Sequence, residues 1–242
     1  MIPKIIHYCW FGGSELTAST KKYIDGWKKL LPNYKIMEWN ENNFHIKNCC
    51  NYVQQAYQQQ KWAFVSDYVR LSVLYQYGGI YLDTDVEVLK SFDPLLKNKA
   101  FIGAESKYSI CTAVIGAESR LAIIRELLDL YDKKNFIVDR TIDNTPNSKR
   151  IFEFFQNKYG YIHTNDIVHD IGTFTVYPED FFSPINCYTL RKHVTANTYS
   201  IHWYSATWKE KKERRRDNIL ALLTRVIGEE NREKIKKLRH KN

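Results

Sequence analysis

The sequence predicts an α/β fold, a mixed sheet flanked by helices, with a basic helical C-terminal tail. Three observations carry this. Short apolar runs suited to strands alternate with stretches of helical periodicity, the pattern of an α/β domain. At roughly 150 residues per domain, 242 residues suit one large domain with an appended piece better than two cores. Charge is also unevenly placed: residues 209–242 hold 13 Lys/Arg against 6 Asp/Glu, so +7 of the net +9 lies there and residues 1–208 are almost neutral. A basic tail reads as a surface-contact segment for anionic lipid, a partner or nucleic acid and not as a basic groove in the main domain, for which no nucleic-acid partner is expected.

Each element follows in order. Residues 2–10 read as a buried strand, with Gly12-Gly13 as the turn after it. Residues 17–31 place Tyr23, Trp27, Leu30 and Leu31 at helical spacing and stop at Pro32, and residues 34–39 form the next strand. A polar, Gln-rich stretch at 52–60 leads into an apolar helix over 63–77, which Gly78-Gly79 can end through a left-handed cap. A strand at 80–82 follows at once. Residues 100–104 and 112–117 suit strands, 119–131 an amphipathic helix with Ser119 as its N-cap, and 148–159 another helix. Residues 174–177, 181–186 and 199–204 read as late strands or loops. From Lys209 onward, Ile219, Leu220, Leu222, Leu223, Val226 and Ile227 in a charged background predict one amphipathic helix and a shorter one after Gly228.

Composition narrows the function classes. The hydrophobic fraction of 44% and charged fraction of 26% are globular values, which excludes wholesale disorder, collagen-like repeats and a disulfide-stapled miniprotein. The 17 Tyr, 12 Phe and 6 Trp suit core packing and the stacking of sugar or base rings alike. Five cysteines without C-x-x-C spacing point to a reducing compartment. The opening MIPKIIHYCWFGG has neither a basic start nor a small-residue cleavage site, and the most apolar long segment, 62–82, contains Asp67 and Arg70. A cytoplasmic chain that does not span a membrane is therefore expected.

The segment SDYVRLSVLYQYGGIYLDTDVEVL carries the chemistry. In an extended chain Asp83 and Asp85 point to the same side, so both carboxylates can address one hard divalent cation, Mn2+ or Mg2+. Such an ion keeps positions open for phosphate and can neutralise a departing nucleoside diphosphate. An apolar strand leaving a Gly-Gly turn delivers these carboxylates to the C-terminal end of a sheet strand, where open α/β folds bind ligands. Asp67 and Arg70, three apart on the preceding helix, can pair or jointly contact a polar ligand.

The combination IPKIIHYCW, SDYVR, YGGIYLDTDV and HWYSATW resembles glycosyltransferase family 32, the D-x-D sugar-transfer proteins, over about residues 1–208. That group includes bacterial capsule and lipopolysaccharide transferases and yeast-type mannosyltransferases, and is distantly similar to clostridial toxin glucosyltransferase domains. The resemblance implies a GT-A-like (Rossmann-like) sheet. It implies retaining, metal-dependent transfer of a hexose from a UDP- or GDP-linked donor to a glycan or lipid-linked acceptor, in bacterial surface polysaccharide synthesis. It also implies roles: Trp10 stacking on the base, Asp67 and Arg70 at the donor sugar and phosphate, Tyr81 near the nucleotide, Asp83 facing the sugar-nucleotide and Asp85 on the metal. His202 and Trp208 resemble a late H…W element that closes over the diphosphate and completes the metal site. The sequence departs from the family pattern in three places. Thr112 stands where relatives often have Asn, Thr207 where many have Ser before the late Trp, with Ser205 two residues earlier as another hydroxyl for the phosphate. HDIGTFTVYP keeps only the Gly of a T-G-P element.

Other candidates have plainer readings. His7 reads as a hydrogen-bonded core histidine, Cys49-Cys50 as structural, Gly12-Gly13 as a turn, and His163, Asp166, His169 and Asp170 as a solvated loop whose spacing fits no metal motif. Two competing functions stay open at this point. A metal-dependent phosphodiesterase or nuclease would need more clustered acids, since a single close pair is evident. A noncatalytic sugar- or membrane-binding protein would not need intact Asp67, Arg70, Asp83 and Asp85. The tail, 209–242, suits an anionic membrane surface or a helical cap on the domain, the former placing the protein on the inner face of the cell membrane.

Overall fold

The computed structural model describes residues 1–164, 167–205 and 211–232. Its elements, in chain order, are β1 (Ile5–Cys9), α1 (Ala18–Leu30), β2 (Lys35–Trp39), α2 (Asn51–Gln58), α3 (Trp62–Tyr77), β3 (Gly79–Leu82), β4 (Val86–Val88), β5 (Ala100–Ser106) and β6 (Ser109–Ala117). There follow α4 (Ala122–Asp132), β7 (Ile137–Val138), β8 (Thr141–Ile142), α5 (Asn147–Tyr159), β9 (His169–Ile171), β10 (Phe174–Tyr177), α6 (Glu179–Phe182), β11 (Ser200–His202) and α7 (Lys211–Ile227). Seven strands form one mixed sheet in the order β2-β1-β3-β6-β5-β10-β9. β2, β1 and β3 run parallel, β6 is antiparallel to both β3 and β5, and β10 returns parallel to β5. The expected mixed α/β sheet with flanking helices is what forms.

The sheet separates two cores. One packs α2, α3, α4 and α5 through residues such as Tyr52, Val69, Leu127 and Phe155, and the other packs α1 and the segment after β3 through Trp27, Val86, Phe92 and Phe182. Continuous burial along β3, β5 and β6 explains their unbroken apolar runs, since strands covered on both faces have no polar side to show. α1 begins where the Thr17 hydroxyl accepts from the Thr20 amide at 3.1 Å.

Several expectations need correction. The Gln-rich stretch at 52–60, to which the sequence assigns no element, lies mostly in helix α2, because Tyr52, Val53 and Ala56 fall on one buried face. Ser119 does not cap α4; Leu121 occupies that position with no side-chain cap bond. Of the segment at 181–186, expected as strand or loop, the first two residues close α6 and the rest is loop with a single bridge from Ile185 to Lys192. After α3, Gly78 has φ 65° but ψ −169°, so the helix ends by turning straight into an extended chain and not through a left-handed cap. Gly79 (φ 106°) brings β3 against β1 so closely that a Cβ there would lie 2.6 Å from the Ile5 carbonyl oxygen.

His7 fulfils its core reading: its Nε2–H donates to the Gly78 carbonyl at 2.7 Å while its Nδ1 accepts from Trp39 at 3.1 Å. Burial, only partly offset by the Gly78 bond, holds this imidazole down at about 4. The 163–170 segment departs from a solvated loop, because the His163 imidazole is buried against Glu179 at 3.1 Å; Asp166 lies outside the described residues. Among the described residues no helix is long and apolar enough to cross a membrane.

Candidate metal and sugar-nucleotide site

β3 ends at Leu82, and the chain then turns sharply, the Val86 amide donating to the Asp83 carbonyl at 3.0 Å. Asp83 and Asp85 therefore sit in a tight turn and not in the extended chain that the D-x-D spacing suggests. The turn is fastened on both sides. The Asp83 amide donates to Ala113 of β6 at 2.9 Å, and the Trp27 indole donates to the Val86 carbonyl at 2.8 Å. β4 then pairs antiparallel with β11, aligning Val86 with His202. This pairing brings a histidine 117 positions after Asp85 back to the acidic turn.

Asp83, Asp85 and His202 can each aim one ligand atom so that all lie within 4.8 Å of one another, and this is the one such group of three or more His, Cys, Asp or Glu among the described residues. Two carboxylates and an imidazole form a mixed oxygen and nitrogen donor set that suits a divalent cation able to accept both. Asp85 organises the late segment: its carbonyl accepts from the Trp203 amide at 3.1 Å, its Oδ2 from the Ser205 amide at 2.7 Å, and its Oδ1 lies 3.3 Å from His202 Nε2. Burial opposes charge on His202, but the Asp85 carboxylate, its hydrogen bond and the neighbouring Asp83 and Glu105 outweigh it and hold the imidazole up at about 9. Burial likewise works against ionised Asp85, but His202 and the Ser205 amide prevail and its carboxyl lies below the usual carboxylate range.

Behind the turn, Arg70 of α3 is almost fully buried and entirely engaged. Its guanidinium meets Asp67 at 3.0 Å and Asp83 at 3.3 Å, donates to the Thr112 carbonyl at 2.8 Å and the Ser66 carbonyl at 3.2 Å, and lies 4.6 Å from the Tyr81 ring centre. Tyr81 donates its hydroxyl to Asp83 at 2.9 Å. Burial, reinforced by Asp83 and opposed by Arg70, pushes the Asp67 carboxyl up to about 6. Arg70 thus ties helix to turn by bonds that a purely apolar helix face could not make.

The remaining sequence-derived residues fall around this group unevenly. Trp10 follows β1, the parallel neighbour of β3, so it leaves the same edge of the sheet; its indole donates to the Ser14 carbonyl at 2.7 Å and its amide to Trp39 at 2.9 Å. Thr112 takes part through its carbonyl, and Ser205 through its amide. Thr207 and Trp208 lie outside the described residues. Two participants escaped the sequence reading: Tyr204, whose ring lies 4.0 Å from His202, and Glu105, which accepts the Tyr204 hydroxyl at 3.0 Å. Ser183 meets the same hydroxyl at 2.6 Å. Burial pushes the Glu105 carboxyl up against the pull of His202. The one sequence signal for Glu105 is an acid interrupting the apolar run FIGAES.

A parallel strand trio, an acidic turn at its C-terminal edge and a returning histidine together make a mixed sheet with a candidate D-x-D cation site. Residues 17–102 match the glycosyltransferase sugar-binding region containing the DXD motif. It is 31% identical over 121 residues to inositol phosphoceramide mannosyltransferase 3 of Schizosaccharomyces pombe, covering 48% of this chain and 33% of that one. It is 26% identical over 215 residues to glycosyltransferase L373 of Acanthamoeba polyphaga mimivirus, covering 84% of each. The chain thus spans about a third of the length of the fission-yeast relative. Among solved structures it is similar to the galactosyltransferase LgtC, with 14% identity, a TM-score of 0.46 and coverage of 90% of this chain and 95% of that one.

Proposed function

We propose that this chain transfers a hexose, with retention of anomeric configuration, from a nucleoside diphosphate sugar to a hydroxyl of a glycan or lipid-linked glycan, in the synthesis of bacterial surface polysaccharide. The observation that carries the reading is the convergence of Asp83, Asp85 and His202 at the C-terminal edge of β3, backed by the buried Arg70. The names of the yeast relatives make mannose the first sugar to test and a lipid-borne acceptor the first acceptor.

The hard step is departure of the diphosphate, as positive charge grows on the anomeric carbon and negative charge on the leaving group. Asp83, Asp85 and His202 would hold Mn2+ or Mg2+, which supplies a Lewis acid for the diphosphate oxygens. The chain's own residues do the rest. Asp85 fixes the Ser205 amide and the 202–205 segment over the site. Arg70 holds Asp67 and Asp83 in register and is positioned by both. Trp10, at the same sheet edge, offers its indole face to the base. Retention needs no carboxylate nucleophile if the departing phosphate takes the acceptor's proton on the same face of the sugar.

The test is a thermal-shift and hydrolysis screen of UDP- and GDP-sugars with and without manganese, on wild type and Asp85→Ala. One donor class should stabilise wild type and be hydrolysed, in the presence of metal alone, with both effects lost in the variant. Indifference to every donor, together with cleavage of nucleic acid, would replace this reading with a phosphodiesterase.

A further inference from the structure

The tail helix α7 has two unlike sides. One docks on the body: Ala221 and Thr224 are buried, Arg225 donates to the Thr189 carbonyl at 2.7 Å, and past the helix end Arg232 donates to the Tyr188 carbonyl at 3.1 Å. Asn186 donates to Glu229 at 2.8 Å, completing the attachment to the loop at 186–189. The other side is apolar and, among the described residues, uncovered. Ile219, Leu222, Leu223 and Val226 are 60%, 56%, 54% and 85% exposed, and at 3.6 residues per turn they fall within an arc of about 100° facing away from Ala221 and Thr224. Lys212 and Arg215 share that arc one to two turns earlier, with Arg216 at its margin, and all three are exposed.

We infer that this outward face of α7, Ile219, Leu222, Leu223 and Val226 with Lys212, Arg215 and Arg216, lies on an anionic lipid bilayer. The distribution selects this occupant. An apolar stripe with basic residues at one end can immerse its aliphatic side chains at the acyl boundary while the long basic side chains reach anionic headgroups. Two copies packed in parallel through the same stripe would instead bring Lys212, Arg215 and Arg216 of each into one seam, where like charges repel. The docked side is equally telling: because α7 is anchored to the loop at 186–189, membrane contact orients the body and does not merely tether it. That loop lies between Ser183 and the 200–205 segment of the site, which places an acceptor at the lipid surface near the site. The purpose assigned here rests on the transfer reading; the contact itself does not.

The full chain should float with vesicles of equal parts phosphatidylglycerol and phosphatidylcholine, and not with phosphatidylcholine alone. Leu222→Glu/Leu223→Glu and, separately, Lys212→Glu/Arg215→Glu/Arg216→Glu should each lower the vesicle-bound fraction constant by roughly tenfold or more. Far-UV circular dichroism and metal-dependent donor hydrolysis in free solution should stay at wild-type values, which separates loss of the surface from failure of the transferase. Flotation of both variants equal to wild type would overturn the inference. So would a wild type that ignores anionic vesicles and sediments as a dimer that Leu222→Glu/Leu223→Glu dissolves, which would assign the face to a second copy of the chain.

Discussion

Replacing Arg70 by Met removes the cation that keeps Asp67 and Asp83 together while keeping most of the side chain's volume. Arg70 is 4% exposed, and its guanidinium makes two carboxylate contacts and two carbonyl bonds. Breaking a buried ion pair from one side costs about 3–5 kcal/mol because the remaining charge is stranded. For a chain of this size each kcal/mol lowers Tm by about 2–4 °C, so a fall of roughly 6–20 °C is expected at neutral pH. The cost depends on pH with a definite sign. Asp67 already takes up a proton near pH 6, well above its ordinary value, and without Arg70 it would do so higher still. At pH 5 Asp67 is largely neutral in the variant and part of the penalty disappears, so the stability difference between wild type and variant should widen as pH rises from 5 to 7. Urea unfolding at both values measures this. Adding Asp67→Asn to Arg70→Met should recover a good part of the loss, giving a coupling of about 1–3 kcal/mol in a double-mutant cycle. A loss under ~1 kcal/mol that ignores pH and adds simply with Asp67→Asn would refute the claim that Arg70 exists to hold these carboxylates.

Four further outcomes follow from the same geometry. In the metal-free protein His202 keeps its proton up to about 9, so a cation using its Nε2 must displace that proton; manganese affinity measured calorimetrically should rise by up to about tenfold per pH unit between 6.5 and 8.5 and lose this dependence in His202→Ala. The same raised value makes the metal-free fold less stable as pH climbs from 6.5 through 9, since the folded state is then the one giving up its proton. Tyr204→Phe removes one of the hydrogen bonds to the buried Glu105 carboxyl and should cost about 1–3 kcal/mol in urea unfolding while weakening manganese binding, whereas unchanged metal affinity would reduce the pair to mere packing. Gly79→Ala places a methyl 2.6 Å from the Ile5 carbonyl at φ 106°, and a loss of over ~2 kcal/mol is expected; a neutral result would contradict the close approach of β3 to β1.

How much of this was legible in the chain depended on sequence distance. Asp67, Arg70, Tyr81, Asp83 and Asp85 lie within one helix and the strand after it, so local periodicity and spacing suffice to bring them together. The geometric reason was partly different from the one the spacing suggests: the two aspartates converge through a turn held by Ala113, Trp27 and the Ser205 amide, and only Asp83 directly continues the strand. Glu105 and Tyr204 were invisible because they meet across 99 positions, through a strand with register shifts between Ile102 and Gly103 and between Ala104 and Ser106. No period of 2 or 3.6 encodes such a contact. α2 was concealed by its Asn and Gln content, although the buried Tyr52, Val53 and Ala56 already carried helical spacing. The three-residue β4 offers too short a run to announce itself, yet its pairing with β11 is what delivers His202.

The charges at the site explain why three side chains of such different kinds must meet there. Asp67, Asp83, Asp85 and Glu105 crowd the region against two cations, and both Arg70 and His202 are already engaged with the carboxylates. A diphosphate brought to this edge would add negative charge to an acidic surrounding, where two unit charges 4 Å apart repel by about 4 kcal/mol at an effective dielectric constant of 20. On the proposed function, recognition of a diphosphate donor here would require positive charge beyond what these residues supply, and Asp83, Asp85 and His202 are the groups placed to retain it. Without a cation the imidazolium of His202 neutralises Asp85, so a proton and a bound metal would compete for one pocket. The fold keeps the acidic turn assembled by the first of these and, on this reading, prepares it for the diphosphate by exchanging it for the second.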